Sequence, residues 1–304
     1  MELSNKMTAL EKVQEIFNFS VDKLPLFGPE NLPTPHYGLF RSDTGECVGK
    51  TCRKNYTPHT TDDVLSIMEA VQEVFGDCLP NVHFKNGHFV YMQPSKQERR
   101  IIAGMKDARY PDGIFPALGL KASFDGKAFL LNFGYYRDLC ANLAFMKAVK
   151  EFMVRIRHSL NLRQRMQELI EKFSRMKDKW FTMNELIDQM AMVQTSLADF
   201  VQKVIGPAPT EKGSGLTRYT KRVEDIFKRV SSEHQTMGLV IPSQANNWQV
   251  SVWEAFNAIQ GYVQHDMSRR GKVDQVQRIA FADIDSAGLI YTAEETARSL
   301  ILAA

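Results

Sequence analysis

Cys140 and His158 carry the side chains of a thiol nucleophile and its base, a chemistry that needs the thiolate within hydrogen-bond reach of the imidazole. Both lie in YRDLCANLAFMKAVKEFMVRIRHSLNLRQRM, Tyr136 to Met166, which reads as helix. Eighteen residues on one continuous helix span about 27 Å at ~1.5 Å per residue, so the pair meets only if the chain turns back. The plainer reading is a small core cysteine and a surface or capping histidine. A second set, Pro111-Asp112 followed by Asp125-Gly126-Lys127, has the loose spacing of a metal-dependent nuclease, two carboxylates for Mg²⁺ and a lysine for the attacking water. Here, however, glycine separates the second carboxylate from the lysine, and Asp125-Gly126 stands where a hairpin should turn. That spacing predicts a hairpin tip and not a metal site. A third set is cationic. Arg137, Lys147, Lys150, Arg155, Arg157, Arg163 and Arg165, with His158 and Tyr136, are the candidate contacts to nucleic acid, cations for phosphates and a ring for bases.

The cations are concentrated. The chain of 304 residues has a net charge of only +3, yet between Arg137 and Lys179 eleven basic residues face five acidic ones, an excess of six. The remainder therefore carries −3. Aromatic residues Tyr135, Tyr136, Phe145, Phe152, Phe173, Trp180 and Phe181 interleave with the basic ones, as in a groove that holds single strands. Against this, most such rings belong in a core, and the arginines have Glu151, Glu168 and Glu171 as partners in sequence. The four cysteines, Cys47, Cys52, Cys78 and Cys140, have no metal-ligand spacing and read as reduced thiols of a cytoplasmic protein. Neither the N-terminal MELSNKMTALEKVQEIFNFS nor any later segment approaches the roughly 20 apolar residues that span a bilayer, so no membrane partner is expected. There is no G-x-x-x-x-G-K-[ST] loop, no H-E-x-x-H pair, and no visible internal repeat.

These residues are positioned by an expected α+β fold: a hairpin-rich sheet with helices in the N-terminal half, and a helical C-terminal half. Residues 8 to 18 have helical spacing, with Leu10, Val13 and Ile16 or Phe17 on one face and Pro25 and Pro29 ending the element. Asp43-Thr44-Gly45, Asn86-Gly87 and Asp125-Gly126 mark three hairpins. TTDDVLSIMEAVQEVFG is a helix capped by Thr60, with Asp62 and Asp63 at its positive end and Val64, Ile67, Met68, Val71 and Phe75 as its apolar stripe. From Tyr136 the signal is helical almost throughout, and Thr182-x-x-Glu185 and Thr292-x-x-Glu295 predict helix starts. The expected domains are 1–157, α+β, and 158–304, helical, with a linker near 206–216 where GPAPTEKGSGL interrupts the pattern.

Four ordered blocks carry a resemblance. GLFRSDTGECVGKTCRKNYTPHTTDDVL matches a strand, a turn and Y-x-P before a helix; YRDLCANLAF is similar to R-x-x-C-x-N-x-L, with Leu143 one position early. RIRHSLNLRQRM is close to R-H-[ST]-x-N…R, and VWEAFNAIQGYVQHDMSRRG matches W-x-A-x-N-A-x-x-x-Y-V-x-H. In these the chain resembles the phage- and plasmid-encoded family known as domain of unknown function 932. Its pattern positions here are Tyr56, Pro58, Arg137, Cys140, Asn142, Arg157, His158, Trp253, Asn257, Tyr262 and His265. The chain departs from the pattern at His59-Thr60-Thr61, where a Q-N or G-N pair is more usual. The resemblance attaches no activity to these positions. It implies a mobile-element protein that acts in recombination or in evading host defence, and the order of elements is loosely similar to phage single-strand annealing proteins of the RecT and Red-beta class.

The expected function is therefore non-enzymatic binding and annealing of single-stranded DNA by an oligomer in the host cytoplasm, with no cofactor. Two alternatives stand beside it. One is a counter-defence or regulatory protein that binds a host protein through exposed Leu289, Ile290, Leu300, Ile301 and Leu302; the other is a nuclease or hydrolase using Asp112, Asp125 and Lys127, or Cys140 with a histidine. Trp253, Asn257 and Tyr262 are expected to be structural, Trp253 and Phe256 in the core and Asn257 bonded to backbone.

Overall fold

The computed structural model describes residues 8–76, 82–85, 88–94, 100–102, 111–124, 126, 128–137, 139, 142–144, 153–210, 213–241, 248–267 and 288–304. The fold is mixed α+β, with antiparallel sheets mostly in the first half and helices dominating the C-terminal half. The chain divides into two compact units that interleave along it. One comprises residues 1–98, 116–133 and 151–179, the other 99–115, 134–150 and 180–304. The boundary expected at 157/158 falls inside the last segment of the first unit.

The first unit opens with helix α1, Ala9–Ile16, held by a reciprocal capping box between Thr8 and Glu11. Val13 and Phe17 supply its buried face. The helix stops before either proline is reached: Pro25 lies within strand β1, Val21–Phe27. Proline is tolerated there because β1 is the edge of a three-stranded sheet with β2, Pro33–Arg41, and β3, Cys52–Arg53. The turn at Asp43-Thr44-Gly45 forms as expected, with Gly45 at φ 69° and the chain returning through a bridge between Phe40 and Cys47. Helix α2, Thr61–Phe75, has the expected cap at Thr60, which exchanges hydrogen bonds with Asp63, and it buries Val64, Ile67, Met68 and Val71.

The larger sheet runs through strands β4, Val82–Lys85; β5, His88–Pro94; β6, Arg100–Ile101; β7, Gly113–Ser123; β8, Phe129–Arg137; β9, Asn142–Ala144; and β10, Met153–Ile156. Its order is β10-β8-β7-β5-β4, with β6 on β7 and β9 on β8. Lys85 pairs with His88, so β4 and β5 form the hairpin expected around Asn86-Gly87, two residues that lie outside the described ones. β7 and β8 are neighbours joined by a turn in which Gly126 has φ 81°, the conformation glycine adopts at least cost.

Tyr136 to Met166 is not one helix. Tyr135 to Arg137 pair with Ala144 to Asn142, and Met153 to Ile156 pair with Asn132 to Phe129, both antiparallel. The signal is a two-residue period at the end of the stretch: Arg155 and Arg157 are exposed while Ile156 is buried, the alternation of a strand with one face in a core. Helix begins only at α3, Leu162–Ile170, which buries Leu162, Met166 and Leu169 and packs on α2.

Helix α4, Met176–Met192, begins in the last segment of the first unit and continues into the second; it contains Thr182 in its second turn, so the helix start expected near that residue is not found there. The next helices start in a shared manner. Strand β11, Gln194–Ser196, leads into α5, Leu197–Ile205, and strand β12, Gln249–Ser251, leads into α7, Val252–Gly261; between them α6 spans Ser214–Met237. Ser196 caps through the Asp199 N–H, and Ser251 forms a capping box with Glu254. β11 and β12 pair about Thr195 and Val250, with Gln194 opposite Ser251 and Ser196 opposite Gln249. Leu197 N donates to Trp248 O and Val252 N to Val193 O, each at 2.9 Å. The segments QTSLAD and QVSVWE are thus related by a local twofold axis, an internal repeat too short to stand out in the sequence. Every residue of α7 is buried, and α5, α6 and α8, Leu289–Ala303, pack against it. α8 starts at Leu289 and not at Thr292, whose hydroxyl donates back to Gly288 O at 2.7 Å. The expected interruption at 206–216 separates α5 from α6, with Gly206 at φ 84° ending α5. Among the described residues no helix is long and apolar enough to cross a membrane.

Candidate nucleic-acid interface

Arg155 and Arg157 are two residues apart on and just after β10, so their side chains leave the same face, and both are exposed. β10 is at the end of the sheet order. The turn at 158–161 then leads into α3, from which Arg163 and Arg165 also project into solvent. Among the described residues Arg155, Arg157 and Arg165 have no ion-pair partner, and the Arg163 guanidinium comes only within 3.9 Å of Asp63. Of the expected rival partners, Glu168 accepts instead from Gln164 at 3.0 Å, and Glu151 lies outside the described residues. Lys172 and Arg175, also exposed, continue the basic run beyond α3.

His158 is not part of this exposed row. It is buried, its ring stacked on Tyr56 at 4.8 Å and its Nδ1 3.0 Å from the Thr57 carbonyl oxygen, which pins the 56–58 segment beside the start of the turn. Next to it lies His59, 2% exposed, stacked face to face on Phe124 at 4.3 Å and flanked by Phe17 and Phe129. Among the described residues neither ring nitrogen of His59 meets a hydrogen-bond partner. Burial, and secondarily the nearby His158, hold its pKa well below 6.5. The His-Thr-Thr departure from the family pattern is thus an imidazole placed where an aromatic ring would fit.

Arg137 belongs to the second unit and is no phosphate contact. Its guanidinium is fully buried, bonding the Asp112 carboxylate at 2.7 Å and the Glu233 carboxylate of α6 at 2.7 Å. Trp253 Nε1 donates to the same Asp112 oxygen at 2.9 Å. A charge this deep is stable only when paired and hydrogen-bonded on several sides, and the cluster ties the end of β8, the chain before β7, α6 and α7 to one another. Asp112, a candidate metal ligand from sequence, therefore has its carboxylate engaged by Arg137 and Trp253. Trp253 and Phe256 are in the core and Asn257 donates to Trp253 O at 2.9 Å, all as expected. Tyr136 is half-buried with its ring 6.4 Å from Phe115. The neighbour of Glu233 on α6, His234, makes a second buried pair, its Nε2 2.6 Å from Glu254 Oε1.

The interleaved rings are mostly core: Tyr135, Phe173 and Trp180 are buried, while Phe181 is exposed. Lys147, Lys150, Cys140, Asp125, Lys127, Phe145 and Phe152 lie outside the described residues, and of Asn142 only the strand backbone is described. Among the described residues no three His, Cys, Asp or Glu side chains gather as a metal site would require. Sequence reasoning misses the pairing of Asp112 and Glu233 with Arg137, because strand and helix partners so far apart leave no spacing signal; the Ser251-x-x-Glu254 capping box, by contrast, has a local signature that sequence alone displays. No curated protein and no solved structure matches the chain. The family is nevertheless shown, since the model for Domain of unknown function (DUF932) matches residues 50–282, and the chain belongs to that family.

Proposed function

We propose that the protein binds nucleic acid without catalysis, holding single-stranded DNA through its phosphates and promoting annealing in a phage or mobile element, as an oligomer in the host cytoplasm. The observation that carries this reading is the exposed row Arg155, Arg157, Arg163 and Arg165, whose charges are left almost unneutralised by the carboxylates around them. Guanidinium groups that need not be stripped from an internal partner meet phosphates at little cost and release condensed counterions. Because the rings of this region are largely internal, backbone charge contributes more than base stacking, so the sequence preference is weak.

The rival is structural. Arginines on an exposed edge strand keep sheets from pairing edge to edge, which explains Arg155 and Arg157 without a ligand. Fluorescence anisotropy with labelled single- and double-stranded oligonucleotides over a salt series separates the two. Arg155→Ala with Arg157→Ala should weaken binding on every sequence and flatten the salt slope by about 0.7 for each single-strand phosphate that is no longer neutralised. Unchanged binding with increased self-association would favour the edge-protection role. No affinity of the parent protein at low salt would overturn the proposal and favour recognition of a host protein. The apolar face expected for that alternative is narrower than the sequence suggests, since Ile290 is buried and only Leu302 of the five is fully in solvent.

A further inference from the structure

The C-terminal end of α6 is closed by one residue acting through both backbone and side chain. Gly238 adopts the left-handed conformation, φ 73° and ψ 24°, and the Leu239 N–H returns to the His234 carbonyl at 2.8 Å, the closing bond of a Schellman turn. The His234 ring lies beneath this turn, 6% exposed, with an acceptor at each nitrogen: Glu254 Oε1 at 2.6 Å from Nε2, and the Val240 carbonyl oxygen at 3.4 Å from Nδ1. Glu254 cannot turn away, because its other oxygen accepts from the Ser251 N–H and hydroxyl as the cap of α7. A neutral imidazole has one N–H, and two acceptors require two. At 2.6 Å from a carboxylate the first proton belongs to Nε2, so only the doubly protonated ring also donates to Val240. Beyond that contact the chain turns outward, with Leu239, Val240 and Ile241 at 37%, 86% and 42% exposure.

We propose that His234 is a pH-sensitive latch: its imidazolium, clamped between Glu254 of α7 and the Val240 carbonyl, fixes the backbone of the exposed Leu239–Ile241 turn to the end of α6, and loss of the Nδ1 proton releases it. Among the described residues the groups that face the ring are Glu254 from α7, Glu233 beside it on α6, the Val240 carbonyl of the turn, and the edge-on ring of Trp248, 5.2 Å away. Glu233 is itself taken up by Arg137, which leaves Glu254 as the dominant counter-charge. Burial pulls the imidazole's affinity for its proton down, but the Glu254 hydrogen bond and charge, with Val240 and Glu233, more than offset it, so the pKa is raised above 6.5. The latch is therefore set while the ring holds both protons and weakens as pH rises through the raised value; because Glu254 stays on the ring in either state, only the part of the shift due to the Val240 contact is coupled to release.

The test uses the intact protein. The titration of the His234 imidazole is followed by NMR while the amide exchange protection of Leu239 to Ile241 is measured from about pH 5.5 to 8.5, corrected for intrinsic exchange. The expected result is a fall in protection of the turn that tracks the imidazole midpoint, with helices α5 and α7 unchanged. Glu254→Gln, which keeps a hydrogen-bonding side chain but removes the counter-charge, should move both midpoints to lower pH together. A turn whose protection is flat while His234 titrates overturns the latch. So does a pH-dependent turn in His234→Asn, and so does a Glu254→Gln variant that shifts one midpoint and not the other.

Discussion

His59 is the residue whose chemistry least suits its place. A buried imidazole whose nitrogens meet no partner among the described residues forfeits its hydration and recovers only ring stacking, so the position should prefer phenylalanine. His59→Phe is expected to raise stability at neutral pH by about 1 kcal/mol, read from the midpoint of urea unfolding. The pH dependence is equally specific. Because the folded-state pKa is depressed below 6.5, the unfolded chain binds the extra proton first, and stability present above 6.5 is lost as pH falls beneath it, by up to about 1.4 kcal/mol per unit. The His59→Phe variant should lack that acid limb; an identical limb in both proteins would assign it to other groups. Trp253 illustrates the opposite case, a residue fully matched to its surroundings. Trp253→Ala removes a side chain buried in α7 and leaves one Asp112 oxygen without its indole donor, and should cost about 3–5 kcal/mol in the same measurement. Its structural role is legible in sequence, whereas that of Arg137 is not: a lone arginine among arginines reads as surface, and only the fold reveals that Asp112 and Glu233 reach it.

At the scale of elements, legibility follows locality. The α2 cap, its apolar stripe and the three turns are readable because each is specified within a few residues. The strands after Tyr136 read as helix because a stretch that alternates with period two for only four residues, Val154 to Arg157, is overwhelmed by the helical spacing on either side. Thr182 and Thr292 satisfy the capping pattern without being caps, since a threonine inside a helix is equally able to bond the preceding turn, as Thr292 does. Two positions test how tightly these elements are set. A methyl on Gly49 would lie 2.0 Å from the Phe124 carbonyl oxygen at the end of β7, whose backbone cannot step aside, so Gly49→Ala should destabilise the protein by about 1–3 kcal/mol. Thr60→Ala, which removes the α2 cap without touching the core, should cost about 1 kcal/mol. Both effects are measurable by chemical denaturation, and a larger loss for Thr60→Ala than for Gly49→Ala would contradict the ranking.

For the whole molecule, the uneven charge along the chain has become an uneven surface only in part. Arg137 is internal, while Arg155, Arg157, Arg163 and Arg165 remain in solvent, so the basic excess available to a polyanion is smaller than counting suggests. The interleaving of the two units has a different kind of consequence, one of timing. The chain passes from one unit to the other five times, at 98/99, 115/116, 133/134, 150/151 and 179/180. Neither unit is a contiguous piece. The first needs Leu162, Met166, Leu169 and Phe173 to complete its core, so a fragment ending at residue 157 should show no cooperative unfolding transition. During synthesis the first unit cannot close until residues up to about 179 have left the ribosome, by which time two segments of the second, 99–115 and 134–150, are already out and waiting for helices not yet made. The strands of those segments are then made before their cover exists, so chains halted between residue 115 and the synthesis of α7 and α8 are expected to aggregate more readily than the full-length chain, as sedimentation of stalled translation products would show.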